Sequence, residues 1–484
     1  MRKSVVIVGG GISGLAAAYL FERYARETVD FRIVDSAGRL GGKIQSIYED
    51  GFTVEGGPDS FLPRKPAILD LCRWLGLEDQ LIEARNGAGI FVWSEGRLIA
   101  MPEGLMMMAP TRVGAFLQSK LISWPGKLRM GLEAVIPRRV SDDDESLGSF
   151  VRRRLGQEAL DKIAGPLFAG IYSGDPETLS LRSTFPLFAE MERQHGGLVR
   201  AMLAQKKASG PQKGAKRTSF LSLRGGLQTV VDALVARLPA NAMLCGRRVV
   251  RATKHATRWD VLLDDGRVLS TDAVLFATPA YVTANALGDC DSQLVRRLRE
   301  IRYVSTATVS LGFRREQIPH SLNGTGFIVS QREAARKITA CTWSSVKFEQ
   351  RAPDGCVLLR VFLGGARAPE LADLGERDLV NTALRELQAT MGITGSPVLA
   401  KTFRWPQASP QYEVGHGALV GEIETLAARH DGLSLAGAAY HGAGLPDCVH
   451  SGIEKAQKIL EQWAAKQEEG NSVPLCTAAR LEAK

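Results

Sequence analysis

The sequence predicts an α/β (α+β) fold built on a Rossmann-like dinucleotide-binding domain that is split along the chain. Three observations carry this. The run VVIV at Val5–Val8 is β-branched and apolar, as a buried parallel strand requires. Gly9, Gly11 and Gly14 follow in GxGxxG spacing and open an Ala/Leu-rich helix. A second strand, FRIVD, closes on Asp35, where a ribose hydroxyl needs an acidic acceptor.

In the fingerprint, Gly9 permits the tight turn, Gly11 lets the backbone approach a pyrophosphate, and Gly14 lets helix and strand pack closely. Gly10, Ile12 and Ser13 complete the turn and the first helical residues. Their N–H groups and the positive dipole end are aimed at phosphate oxygens. Ser36 follows Asp35, and then Arg39, Gly41 and Gly42 form a GRxGG pattern, with Lys43 next to it. Glycines there let a second loop lie along a diphosphate, and Arg39 answers its charge. An NAD-only site does not need that second loop, so FAD is the favoured ligand. Next, FTVEGGPDS ends a strand at Glu55 and turns at Gly57–Pro58–Asp59–Ser60. Near the other terminus, a strand at Leu433–Ala436 meets a glycine-rich turn. Past Gly444 and Leu445 a helix opens near Pro446–Asp447, Pro suiting a first helical turn and Asp an N-terminus, and that N-terminus is suited to an anionic reduced flavin.

Beyond these words the chain resembles the protoporphyrinogen/coproporphyrinogen III oxidase family (HemY-like, in the amine-oxidase superfamily). The strings that carry the resemblance are GPDSFLPRK at Gly57–Lys65, LFAGIYSGDPETLSLRSTFP at Leu167–Pro186 and GTGFIVS at Gly324–Ser330. ITACTWSS at Ile338–Ser345, FRWPQASPQYEVGH at Phe403–His416 and GAGLPDCVHSG at Gly442–Gly452 complete the set. The resemblance implies a split FAD domain of p-hydroxybenzoate hydroxylase type, a mixed-sheet substrate domain and a helical domain that touches membranes. It implies that Val249 contacts the adenine, that Trp405 lies near the flavin (core packing is the equal alternative), and that Lys65, with Arg64 adjoining, lies near the substrate. GGKIQS, GTGFIVS and ITACTW are closer to the coproporphyrinogen-oxidising bacterial branch; protoporphyrinogen IX is the alternative substrate. Other amine-oxidase-type flavoenzymes and a redox-silent binding protein of the same fold are more distant readings.

The implied reaction removes six electrons from a porphyrinogen in three rounds at the flavin, with O2 as acceptor and H2O2 released. Strong acid–base groups are then unnecessary. No Ser/His/Asp set or HExxH occurs, and His441, beside the last turn, is the best outsider among seven histidines. The net charge of +9 fits an anionic lipid surface or a polycarboxylate substrate, and no nucleic-acid motif accompanies it. The seven cysteines form no CxxC pair, so no metal site is expected. A cytoplasmic protein is expected, either free or peripheral on the membrane, as a monomer or homodimer, with handover of product to a ferrochelatase.

The expected FAD-binding domain comprises 1–60, 215–285 and 405–466; the substrate domain 61–100, 190–214 and 286–404; a helical domain 101–189; and a disordered tail 467–484. Asp264–Asp265–Gly266 reads as a hairpin turn, and 205–220 as a basic surface loop. SDDDE at Ser141–Glu145 reads as a helix start capped by Ser141.

Overall fold

The computed structural model describes every residue except 1, 86–88, 103–104, 107–108, 111–112, 210–219, 289 and 471–484. Its first layer is a five-stranded parallel sheet in the order Met243–Cys245, Val29–Asp35, Lys3–Val8, Ala273–Phe276, Leu433–Leu435. The two central strands, Lys3–Val8 and Ala273–Phe276, are buried on both faces, which is why they read as continuous apolar runs. One face packs on the helices Ile12–Tyr24 and Leu445–Gly470 through Leu15, Phe21, Val449 and Ile459. The other carries Val6, Val8 and Phe276 against Trp259, Leu298 and Tyr440. The close approach of the first and last helices depends on Gly452, where a Cβ would lie 2.0 Å from the Ser13 carbonyl oxygen.

The second layer is a seven-stranded mixed sheet. Its order is Leu399–Pro410, Tyr303–Arg314, Cys356–Gly364, Ala340–Trp343, Gly324–Val329, Gly89–Ser94, Arg97–Ala100. The helix Glu376–Met391 covers one face with Leu379, Ala383 and Leu387. A helical layer gathers a third core around Phe150, Leu160, Phe168 and Leu198. Among the described residues, no helix is long and apolar enough to cross a membrane.

Several expectations change here. The 101–189 stretch is not helical throughout: Leu105–Met106 and Ala109–Pro110 pair as a short hairpin. Helices also run past 189, at Leu198–Ser209, and share the helical core through Leu198 and Ala201. That helix takes the first five residues of the expected 205–220 loop, and 210–219 lie outside the described residues. Trp405 belongs to the strand Leu399–Pro410 of the seven-stranded sheet, so the chain returns to the nucleotide domain only after Pro410. The cap of the helix Leu147–Leu155 is Ser146, whose Oγ accepts from the Ser149 N–H at 3.1 Å; Ser141 instead accepts from Asp143 in the preceding turn. The last helix continues to Gly470, and the rest of the expected tail lies outside the described residues. The Asp264–Gly266 hairpin is present, between strands paired Leu262 to Val268.

Candidate active site

The nucleotide end of the site is made by backbone. Gly11 is the N-cap of the first helix, no side chain caps it, and no acid lies in its first turn. A Cβ at Gly11 would meet nothing within 4 Å, whereas one at Gly14 would lie 2.0 Å from the Gly9 carbonyl oxygen. The glycines thus separate into one that leaves room for a ligand and one that packs helix on strand. An uncapped helix end with donors facing open space is what a diphosphate requires, so these residues fit the dinucleotide part of FAD.

Asp35 accepts from the Gly10 N–H at 2.6 Å and from the Ala37 N–H at 2.8 Å. A carboxylate keeps further lone pairs after two such bonds, so a ribose hydroxyl is still accommodated. Ser36 is exposed beside it. Val249 is buried, and the segment just before it is bonded to this loop through Arg247 N–H to the Asp35 carbonyl oxygen at 2.9 Å. Arg39 differs from expectation. Its guanidinium donates to the carbonyl oxygens of Leu40 (3.1 Å), Ile44 (3.0 Å) and Gly42 (2.8 Å), and so shapes its own loop.

From that cradle the site opens into a cavity of about 1360 Å³ under the seven-stranded sheet. This is larger than the roughly 300–1,000 Å³ usual for a single small ligand. Lys43, Gly57–Ser60, Trp405, Ala438 and Ala443 border it on the side of the nucleotide domain. The sheet contributes Thr306–Thr308, Gly326–Ile328, Arg360 and Phe362, and the helix Gly165–Tyr172 contributes Leu167, Ile171 and Tyr172. Burial pushes the Tyr172 hydroxyl up to about 12, so it stays neutral. Among the described lining residues are six cations, Lys43, Arg64, Arg85, Lys347, Arg360 and Arg367, against one carboxylate, Asp59.

The Gly56–Ser60 turn is held from several sides. The Gly56 carbonyl oxygen accepts from Trp405 Nε1 at 3.0 Å, Thr308 Oγ1 at 3.2 Å and Arg360 at 3.1 Å. A Cβ at Gly57 would lie 1.8 Å from the Lys43 carbonyl oxygen. Lys347 Nζ donates to both Asp59 oxygens at 3.0 Å and to Ser60 Oγ at 2.9 Å. Burial would push the Asp59 carboxyl up, but Lys347 and Arg360 outweigh it and hold it well below the usual carboxylate range. Burial lowers the Lys43 amine, whose Nζ donates to the Ala408 carbonyl oxygen.

The turn at the last helix is organised by Tyr412. Its hydroxyl donates to the Ala438 carbonyl oxygen at 2.7 Å and accepts from the Gly442 N–H at 2.9 Å. Gly444, Leu445 and Pro446 then open the helix beside Ala443 at the cavity edge. Burial pushes the Cys448 thiol up to about 11, so it is an inert thiol at neutral pH.

Two sequence candidates lie elsewhere. Lys65 pairs with Asp447 in the first turn of the last helix and does not line the cavity. Its neighbour Arg64 does. His441 also faces away from the cavity, toward Glu424 Oε1 at 2.9 Å, a carboxylate it shares with Lys455. Both carry an acidic partner near the last helix, and that partner sets their direction. Conversely, Arg360, Lys347, Arg85 and Arg367 escaped the motif reading. For Arg360 a signal existed: a lone Arg within the apolar run CVLLRVFLGG needs a buried partner. Among the described residues, no group of His, Cys, Asp and Glu is placed to hold a metal ion.

Residues 12–460 match the family described as flavin containing amine oxidoreductase. The chain is 37% identical to the coproporphyrinogen III oxidase of Bacillus subtilis (strain 168), over 93% of this chain and 96% of that protein. It is 32% identical to the protoporphyrinogen oxidase of Bos taurus, over 95% and 99%. A crystal structure from Exiguobacterium sp. 255-15 superposes with a TM-score of 0.85 at 31% identity, covering 96% of this chain and 99% of that one. Reduced UDP-galactopyranose mutase, at 16% identity and a TM-score of 0.72, shares the fold.

Proposed function

Because the chain belongs to the family of flavin-containing amine oxidoreductases, we propose that it oxidises a porphyrinogen to the porphyrin, with coproporphyrinogen III as substrate, in haem biosynthesis. Three two-electron rounds remove six electrons, and three O2 are reduced to three H2O2. The observation that carries this reading is the cavity: about 1360 Å³, walled by apolar sheet and helix, with six cations against one carboxylate among its described lining residues. A reduced tetrapyrrole is large and apolar at its centre and anionic at its edge, and coproporphyrinogen bears four propionates. The relatives at 33–37% identity named as coproporphyrinogen III oxidases support the choice of substrate.

Bound FAD supplies the two-electron acceptor. The chain's own part is to bind, orient and exclude water. Gly11 and the first helix hold the diphosphate, Asp35 the ribose, Val249 the adenine, and the Gly57–Ser60 turn with Trp405 the flavin end. The sheet residues Phe327, Ile328 and Phe362 exclude water from the macrocycle, and neighbouring cations hold its carboxylates. No side chain is asked to be a strong acid or base, because the porphyrin's aromaticity drives the reaction.

Protoporphyrinogen IX is the second reading, favoured by near-full-length similarity to the bovine enzyme named for it. Assaying both porphyrinogens side by side, by porphyrin fluorescence under air, tests the choice. Faster oxidation of coproporphyrinogen is expected; equal or reversed rates overturn it, and no oxidation of either overturns the function.

Peripheral contact with an anionic membrane belongs to the same reading. Trp124, Leu128, Leu132 and Val135 fall on one helical face and are 62%, 71%, 53% and 68% exposed. Sedimentation with phosphatidylglycerol vesicles is expected, and retention in the supernatant would remove the contact. The porphyrin product lacks only its metal, which is the reason to expect handover to a ferrochelatase.

A further inference from the structure

We infer that Arg85 and Arg367 form two separate carboxylate anchors at opposite ends of the cavity, and that together they select a macrocycle with acid groups on both edges. The inference rests on the proposed porphyrinogen reaction and assigns residues to its specificity.

The wall strand Cys356–Gly364 sets the distance. Arg360, Phe362 and Gly364 alternate along it and all border the cavity. Trp343 pairs with Leu359, and the short helix Ser344–Lys347 leads on from it. The Lys347 carbonyl oxygen accepts from the Arg85 N–H at 2.9 Å, which fixes Arg85 beyond Leu359, toward the Cys356 end of the strand. Arg367 lies three residues past the other end, where Ala366 N–H donates to the Ser173 carbonyl oxygen at 2.8 Å. Leu359 to Gly364 alone spans about 17 Å at ~3.3 Å per residue. A single propionate does not bridge that span, but a substituted tetrapyrrole lying along the wall does.

Both arginines keep donors for a ligand. The Arg85 side chain has no hydrogen bond or ion pair among the described residues. Arg367 has one long pair, 3.8 Å to Asp175 Oδ1, with both side chains partly exposed. Such a pair holds its partner weakly, so a substrate carboxylate displaces it. Lys347 and Arg360 do not offer the same service. Lys347 spends three donor contacts on Asp59 and Ser60, and Arg360, midway along the wall, is anchored through Nη2 to the Gly56 and Gly57 carbonyl oxygens and reaches neither end.

Selectivity follows from what the wrong substrate leaves unpaired. Protoporphyrinogen IX carries its two propionates on one edge and vinyl groups on the other. Whichever way it enters, one arginine faces a vinyl edge and loses solvent without gaining a carboxylate. Coproporphyrinogen III carries a propionate on every ring and satisfies both ends.

The test uses the flavin-loaded enzyme and the variants Arg85→Ala and Arg367→Ala, with Arg85→Gln and Arg367→Gln as shape-preserving versions. Retained flavin absorbance and unchanged thermal midpoint certify folding. KM for coproporphyrinogen III is expected to rise roughly 10- to 100-fold in each, the worth of a charge-assisted hydrogen bond. In one of the two variants the ratio of kcat/KM for coproporphyrinogen over protoporphyrinogen is expected to fall about tenfold. Fluorescence titration with coproporphyrin gives the same ordering without turnover. Equal effects on both substrates in both variants, or no change in KM, would overturn the inference. A wild-type enzyme that oxidises neither porphyrinogen would instead remove the proposed reaction, and the titration with coproporphyrin would still report on the two anchors.

Discussion

Arg360 reaches from the middle of the wall strand to the carbonyl oxygen of Gly56, 304 residues earlier, and donates to it at 3.1 Å. The same oxygen takes bonds from Trp405 and Thr308. The cavity wall and the Gly56–Ser60 turn therefore share one acceptor. A change on the wall is felt at the turn through a carbonyl oxygen that already has three donors.

The first expectation concerns that link. Arg360→Met keeps the chain length but removes the donors and strips Asp59 of one of its two cations. Breaking a buried charged cluster costs on the order of 3 kcal/mol. Urea unfolding is expected to show that loss, and FAD titration a weaker affinity. Unchanged FAD affinity would separate wall from turn.

The second concerns helix packing. In Gly452→Ala the new methyl meets the Ser13 backbone, not a movable side chain. Overpacking of this kind costs roughly 1–3 kcal/mol. A lower thermal midpoint with partial flavin loss is expected, because Ser13 lies in the first turn of the helix proposed to hold the diphosphate. A variant as stable as the parent would show that the last helix shifts without cost.

The third is a pH dependence. Burial pushes His416 down from an ordinary 6.5 to about 4; its ring stacks on Tyr412 at 4.1 Å. The folded state therefore favours the neutral ring, while the unfolded chain takes up a proton near 6.5. Stability from this group is complete above pH 6.5 and is lost as pH falls toward 4, by at most about 3 kcal/mol. Unfolding free energies measured from pH 7 to 4 should slope accordingly, and His416→Phe should flatten the slope. An identical slope in the variant would assign the effect to other groups.

The fourth separates Lys65 and His441 from the cavity. Lys65→Ala removes an exposed ion pair, worth about 0–1 kcal/mol. Its kcat/KM is expected to change far less than that of Arg85→Ala, with flavin retained. His441→Ala is expected to leave the pH–rate profile in place. A tenfold fall in either would return that residue to the substrate site.

The parts legible from the sequence were those where backbone does the work. The GxGxxG turn, Asp35 and the Gly57–Ser60 turn announce themselves through residue types that few other conformations need. Side-chain direction was not legible. Lys65 and Arg64 are neighbours in sequence, yet only Arg64 lines the cavity, because Asp447 from the far end of the chain captures Lys65. Arg39 sits in a correct motif but spends its donors on its own loop. The site's strongest charge cluster, Asp59 with Lys347 and Arg360, joins residues nearly 300 positions apart. No local pattern encodes such a meeting; the register of the wall strands does.

The central parallel sheet takes its strands from residues 3–8, 29–35, 243–245, 273–276 and 433–435. A nascent chain thus has the helix Ile12–Tyr24 about 400 residues before the strand Leu433–Leu435 and the helix Leu445–Gly470 that complete its platform. Until then the apolar faces of the early strands have no permanent neighbours, so holding them apart is work for a chaperone. Shortened products lacking the last helix should aggregate before they ever turn yellow.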